Sequence, residues 1–462
     1  MNGASMNQEI LIRIAALYVP IVAAAAGWLL FACNKKKMRQ KLGAAVLVQT
    51  LWVLPILWLL QLVNTGIGWW NFHTEGPTVR GMPVEMYLGW VVLWGAVPAL
   101  LLGRLSLRWR ILLLASFDLL TMPYCAPVLS LSHTWLWGEA AYVLAGLVPA
   151  LLLGEWTVTE RYPLRRAWMQ VAMAGMLVLF LLPECVFALR GGGWSRTFPK
   201  ALPGTGSRLA HSLLSVEIQV VLLLGVIGIA AAREFGERGG GTPIPFDPPR
   251  RLVTSGIYRY VANPMQLSCA LVMLAWAAML HSIWLTLGSI CGVLYSAGLA
   301  SWDEAEDLRK RFGSPWHQYR AEVHNWLPRW KPYVAPERPP ATLWVSEECG
   351  PCDEVRQWFT SREARGLVIR AAEDHPTLRL RRIRYEDGEY GVDGVRAVFR
   401  ALEHMHLGWA FTGIALSMPG IWRLVQTVLD SCGLGPREIQ CHRSQVNTSS
   451  MEKHFPVDTG NA

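Results

Sequence analysis

Long apolar runs broken by short polar or basic segments fill the first 300 residues, and the pattern changes after that. A helix needs about 20 apolar residues to cross a hydrocarbon core roughly 30 Å thick. Nine runs approach that length: 11–33, 42–63, 86–103, 111–131, 134–154, 167–189, 209–232, 265–280 and 283–300. The last two form a tight hairpin with His281 and Ser282 near its tip. Glu304, Leu308 and Phe312 then recur at i, i+4 and i+8, which predicts an amphipathic helix leaving the membrane. Trp316, Tyr319, Val323 and Trp326 extend its apolar side, which suits a headgroup surface. Beyond the proline-rich link at 336–340 the elements become short and mixed. Strands are expected at 342–345, 368–370 and 380–385, and helices at 353–360 and 391–405. The fold class read from this pattern is a polytopic α-helical membrane protein of about nine spans with a C-terminal α/β domain. Its expected divisions are transmembrane helices at 1–232, a membrane core with a loop and amphipathic helix at 233–332, a linker at 333–341, the small domain at 342–440 and a disordered tail at 441–462.

Composition sharpens this division. Of 462 residues, 52% are hydrophobic and 17% charged, with 23 Trp and a net charge of +9. A basic total raises the question of nucleic acid, and the distribution answers it. Residues 1–302 hold 22 of the 43 Lys and Arg but only 12 of the 34 Asp and Glu, so the excess lies wholly among the apolar runs. Sixteen of those basic residues flank one side of the expected membrane, from Lys35, Lys36 and Lys37 to Arg251 and Arg259, against five on the other. Basic loops stay cytoplasmic, which predicts a multi-pass cell-membrane protein with its N-terminus outside and its C-terminal domain inside. No nucleic-acid partner is then needed, and membrane lipids are the expected surroundings. The first apolar run lacks a basic n-region and a cleavage site, which argues against a signal peptide. Asp118, Glu139, Glu184 and Glu217 lie in or near the runs. Such acids mark a pathway or pair inside a bundle, and the regular spacing of a transporter is not evident.

After the seventh run the chain reads REFGERGGGTPIPFDPPRRLVTSGIYRYVANPMQLS, where Gly239, Gly240 and Gly241 and four nearby prolines forbid regular structure. The block from Gly256 to Pro264, the apolar hairpin, the acidic stretch from Asp303 and the ending Phe312-Gly313, Tyr319, Leu327-Pro328-Arg329 together resemble the isoprenylcysteine carboxyl methyltransferase-like family. That family includes phospholipid methyltransferases, and the resemblance covers about residues 233–332. It implies an enzyme that binds S-adenosylmethionine at the cytosolic face and methylates a hydrophobic or lipid-like substrate. By resemblance, Tyr258, Arg259, Asn263 and Pro264 shape the cofactor pocket and Glu304 holds its ribose or amino group. Arg259 suits a carboxylate, since a guanidinium binds it through two parallel donors. The family's paired glutamate is Glu304 with Ala305 in second place, Glu306 being one residue displaced. Gln266 stands where the family usually has Tyr, and Ser268 where it has Gly.

In the tail, Thr342-Leu343-Trp344-Val345, then Cys349-Gly350-Pro351-Cys352, then a helix give the strand, C-x-x-C, helix order of thioredoxin-like domains. A first Cys at a helix N-terminus has its thiolate favoured, and the second is in reach to resolve a mixed disulfide. The region also resembles the DCC family of thiol-disulfide oxidoreductase-like proteins. Acids precede the first Cys where that family has Asp-Gly, and Pro376 and Pro419 are the candidates for its cis-proline. A zinc site completed by Cys432 and Cys441 or His442 is the rival, though its spacing is long for structural zinc.

Two enzymatic functions follow, beside a third reading as a binding or scaffold module with neither activity. The first is a membrane methyltransferase fused to a thiol-redox domain with a redox partner of its own. The second is a membrane-tethered oxidoreductase using Cys349 and Cys352, whose methyltransferase-like core has lapsed.

Overall fold

The computed structural model describes residues 3–31, 36–189, 208–243, 247–347 and 349–436. The chain divides into two compact units. The first comprises Met1–Tyr258 and Ala262–Ala321; the second comprises Arg259–Val261 and Glu322–Ala462.

The first unit is helical: α1 (Gly3–Phe31), α2 (Lys36–Ile67), α3 (Val84–Leu100), α4 (Leu107–Thr121), α5 (Trp135–Val158), α6 (Pro163–Leu189), α7 (Arg208–Glu234), α8 (Pro264–Met279), α9 (Ile283–Tyr295) and α10 (Ser301–Glu322). Among the described residues, five segments are long and apolar enough to cross a membrane: Asn7–Leu30, Arg39–Ile67, Trp135–Val158, Pro163–Leu189 and Val216–Gly239. Three more of the nine expected runs form shorter apolar helices, Val84–Leu100, Pro264–Met279 and Ile283–Gly298. The run 111–131 does not form one helix. Pro123 lacks the N–H that would continue α4 and lies in a 3-10 turn (Met122–Cys125), which leads to strand Leu129–Leu131. That strand pairs antiparallel with Trp70–Phe72, tying the α2–α3 connection to the α4–α5 connection.

Small residues set the helix spacing. A Cβ on Gly89 of α3 would sit 1.9 Å from the Ala16 carbonyl of α1, and one on Gly154 of α5 would sit 1.9 Å from the Gln49 amide of α2. Close backbone approach of this kind drives helix association where lipid removes the hydrophobic incentive. The helix at 301–322 is broken at Gly313, whose φ of +55° ends the first half, with Pro315 just beyond.

The second unit is a four-stranded sheet with helices. Its strands are β1 (Ala341–Val345), β2 (Leu367–Ala371), β3 (Arg384–Asp387) and β4 (Tyr390–Asp393), in the order β2-β1-β3-β4. β1 and β2 are parallel and joined through helix Gly350–Thr360, while β3 and β4 form antiparallel neighbours. Leu343, Val345, Phe359, Tyr385, Ala397, Phe399 and Leu402 fill the core. The sequence pattern over 391–405 suggested one helix. In the structure Tyr390–Asp393 is a hairpin strand after Gly388 (φ +63°), and the helix begins at Val395 behind Gly394 (φ +68°). Both glycines take left-handed conformations that a periodicity argument does not register.

Arg259–Val261 belong to this second unit, and their hydrogen bonds show why. Tyr333 N donates to the Arg259 carbonyl at 2.9 Å, and Arg329 N donates to the Tyr260 carbonyl at 2.9 Å. The Tyr260 hydroxyl donates to the Glu403 carbonyl at 3.0 Å.

Candidate active site

The site is assembled in the first unit around the loop that follows α7. Each of its three glycines has a steric role. Cβ atoms on Gly239 and Gly241 would lie 2.8 Å from Val253 and from the Pro249 nitrogen, and Gly240 has φ +68°. The loop therefore closes on itself: Arg250 N donates to the Gly239 carbonyl at 2.7 Å and Thr242 N to the Asp247 carbonyl at 3.1 Å. Arg311 of α10 pins it through the Pro249 carbonyl at 2.6 Å, and Arg250 pairs with Glu160 at 2.8 Å.

Buried polar groups gather beneath this loop. Arg166 at the start of α6 is fully buried and pairs with Asp247 at 2.5 Å. Gln170 lies one turn further along and is also buried. Arg166 Nη2, both amide atoms of Gln170 and Thr242 Oγ1 have no hydrogen-bond partner among the described residues. Unsatisfied buried groups of this number are unusual, and they are what a polar ligand would satisfy. Beside them Glu234, at the end of α7, accepts from Ser255 Oγ at 2.5 Å. Gly256 (φ +60°) leaves room for that carboxyl, since its Cβ would lie 3.1 Å from Glu234 Cδ. Tyr258 is buried with its ring 6.3 Å from Phe235, and the Tyr319 hydroxyl fixes its carbonyl at 2.8 Å.

The residues singled out from the sequence are divided between the two units. Tyr258 lies in this cluster. Asn263 and Pro264 open α8 as N-cap and first helical residue, a position that suits proline's missing N–H. Asn263 Nδ2 donates to Gln266 Oε1 at 3.3 Å, so the Gln that replaces the usual Tyr is a partner of the Asn. Ser268 faces Gly228, where a Cβ would lie 2.7 Å from its hydroxyl, and donates to the Leu224 carbonyl at 2.7 Å. The small residue that lets the two helices approach is thus on α7. Arg259 belongs to the second unit, where its guanidinium donates to the Tyr333 carbonyl at 3.2 Å and meets His404 Nε2 at 3.3 Å. Glu304 lies on α10, and its side chain is outside the described residues. Glu306 is half-exposed and paired with Arg309 and Lys310, which hold its carboxyl below the usual range.

Sequence reasoning passed over Arg166 and Gln170, since Arg166 read as one of many cytoplasmic-side charges. Glu234 stood in the quoted stretch without weight. The signal available was the pairing of polar residues four apart at the start of an otherwise apolar run.

In the second unit Cys349 is the N-cap of helix Gly350–Thr360, and its carbonyl accepts from Cys352 N and Asp353 N, each at 2.9 Å. The two sulfurs are 2.9 Å apart and half-buried. Arg356 bridges Asp353 and Glu347 beside them. Pro376 lies in the loop before β3 and Pro419 opens a helix, and every peptide bond among the described residues is trans. No group of three or more metal-ligating side chains occurs among the described residues, while Cys441 and His442 lie outside them.

These features define a helical membrane protein with a polar, partly unsatisfied site under a glycine-rich loop. Residues 204–314, which contain α7, that loop, the apolar hairpin and most of α10, match the phospholipid methyltransferase family model. No curated protein and no solved structure matches the chain.

Proposed function

We propose that the chain is a membrane-embedded methyltransferase that uses S-adenosylmethionine on a hydrophobic or lipid-like substrate at the cytosolic face. The observation that carries this is the family match over 204–314, which includes the loop that closes where buried Arg166 Nη2, the Gln170 amide and Thr242 Oγ1 have no hydrogen-bond partner among the described residues. The donor set suits the cofactor's amino-acid head: Arg166 for its carboxylate, Glu234 for its amino group, and Phe235 and Tyr258 as an aromatic wall. Asn263, Pro264 and Glu304 remain the family-derived candidates on either side of the hairpin. When bound, the cofactor supplies an electrophilic methyl on a sulfonium. The protein's part is to align it in line with the acceptor and to exclude water, which accounts for much of the rate in such transfers. A site at the membrane boundary admits the soluble reactant from one side and the lipid from the other.

Nine membrane crossings, with the N-terminus outside, are part of the same reading; the sixteen-to-five asymmetry of basic residues supports them. Incubating the protein in lipid with methyl-labelled S-adenosylmethionine tests the proposal. Label should enter the lipid fraction and fall at least tenfold in Arg166→Gln; label found only in water-soluble products would reject the substrate class.

A second reading, thiol-disulfide exchange in a thioredoxin-like second unit, draws on the sheet order β2-β1-β3-β4 and on Cys349 at a helix N-terminus with Cys352 in reach. The two activities are compatible in one chain. The lapsed-core alternative predicts thiol exchange without cofactor binding.

A further inference from the structure

Four acids lie in or near the apolar runs, and their surroundings separate them. Glu184 pairs with Arg80 at 2.7 Å, and Glu217 is exposed on α7. Asp118 of α4 is buried and accepts from Trp94 Nε1 at 2.8 Å, with the Trp90 indole beside it. Glu139 of α5 is 2% exposed, and neither of its carboxylate oxygens has a hydrogen-bond partner among the described residues. Of the nearby donors, the Tyr142 hydroxyl donates to Gln61 at 3.1 Å and Gln61 in turn to the Arg80 carbonyl, while the indole N–H groups of Trp70 and Trp90 have no hydrogen-bond partner among the described residues. Glu139 lies within Coulombic range of both Asp118 and Tyr142. An ionised carboxylate left alone in such a place is strongly disfavoured, so it must either hold a proton or meet a cation.

The walls favour the cation. Trp69, Trp70, Tyr142, Trp90 and Trp94 form a continuous buried series of rings, tilted or edge-on to one another with neighbouring centroids 4.9–6.1 Å apart. Aromatic faces attract diffuse positive charge, and substituted ammonium groups gain most from them. A metal ion is poorly served here: Ca²⁺ takes six or more oxygen ligands, and no group of three or more metal-ligating side chains exists among the described residues.

We propose that Glu139 and Asp118, with the rings of Trp70, Trp90, Trp94 and Tyr142, bind a protonated or quaternary amine inside the membrane unit. All six residues lie between positions 70 and 142, outside the segment 204–314, so this is a second site. It stands whether or not the methyltransferase reading does.

Tetramethylammonium chloride is the probe, titrated calorimetrically into the full chain in phosphatidylglycerol nanodiscs, which contain no competing choline headgroup. Sodium chloride is the control. Saturable binding is expected for the unmodified protein, weakened about tenfold in Glu139→Gln, the scale of a lost charged contact. Trp90→Leu should weaken it as well while leaving Glu139 in place. Thermal melts of both variants in the same discs report their folding. Absence of tetramethylammonium binding, or equal affinity in a folded Glu139→Gln, overturns the proposal and identifies Glu139 as a neutral, proton-bearing carboxyl.

Discussion

Gly228 and Ser268 show how a single atom sets the distance between two helices. Ser268 Oγ occupies the space a Cβ at position 228 would need and uses it to reach the Leu224 carbonyl. Gly228→Val should destabilise the protein by roughly 1–3 kcal/mol through overpacking, read as a lower unfolding midpoint in detergent. Adding Ser268→Gly should recover part of that loss, because neighbours that share one space do not act additively. If the double variant is no better than the single one, the contact is not the cause. This pair was visible in the sequence only as a departure from a family pattern. The compensating glycine lies 40 positions earlier, and nothing local links the two. Arg166 and Gln170 were missed for the same reason: their meaning comes from Asp247 and Thr242, which only folding brings to them.

At the scale of elements, apolar length was legible and interruption was not. Five of the expected runs became long spanning-type helices, whereas Pro123 turned the fourth into a helix, a 3-10 turn and a strand. In the second unit the strand, C-x-x-C, helix order was readable because its parts follow one another directly in the chain. The hairpin at 384–393 was obscured by residues that suit a helix equally well. Its sheet carries a pH-sensitive anchor. Burial works against the Glu386 carboxylate, but hydrogen bonds from Arg384 at 2.6 Å, Trp344 at 2.9 Å and His375 at 3.3 Å outweigh it, and its pKa falls below the ordinary value. A depressed carboxyl pKa adds stability above the unfolded value and loses it as pH falls through the folded one. Glu386→Gln should therefore lower the unfolding temperature at pH 7, with the difference shrinking on acidification toward pH 3. A constant difference would place the effect in packing. For the neighbouring motif, Cys349→Ser should abolish exchange with a disulfide substrate, while Cys352→Ser should trap a mixed disulfide. Unchanged exchange in Cys349→Ser would end the redox reading.

For the whole molecule, charge distribution and connectivity carry the argument. The basic excess is confined to residues 1–302, which orients the proposed spans and leaves the second unit nearly neutral. A membrane-impermeant maleimide should label Cys349 or Cys432 only after cells are permeabilised; labelling in intact cells would invert the orientation. Connectivity was not legible at all. Arg259–Val261 fold with the second unit although their neighbours Tyr258 and Ala262 fold with the first, and the cause is Arg259's place among Tyr333, His404 and Asp387. A sequence motif that looked continuous from Gly256 to Pro264 is thus divided between two bodies. Cofactor binding is the claim on which the methyltransferase reading stands. Calorimetric titration of S-adenosylmethionine into the full chain in nanodiscs should give saturable binding, weakened at least tenfold by Arg166→Gln and by Glu234→Gln. No detectable heat from a folded sample in lipid would contradict it.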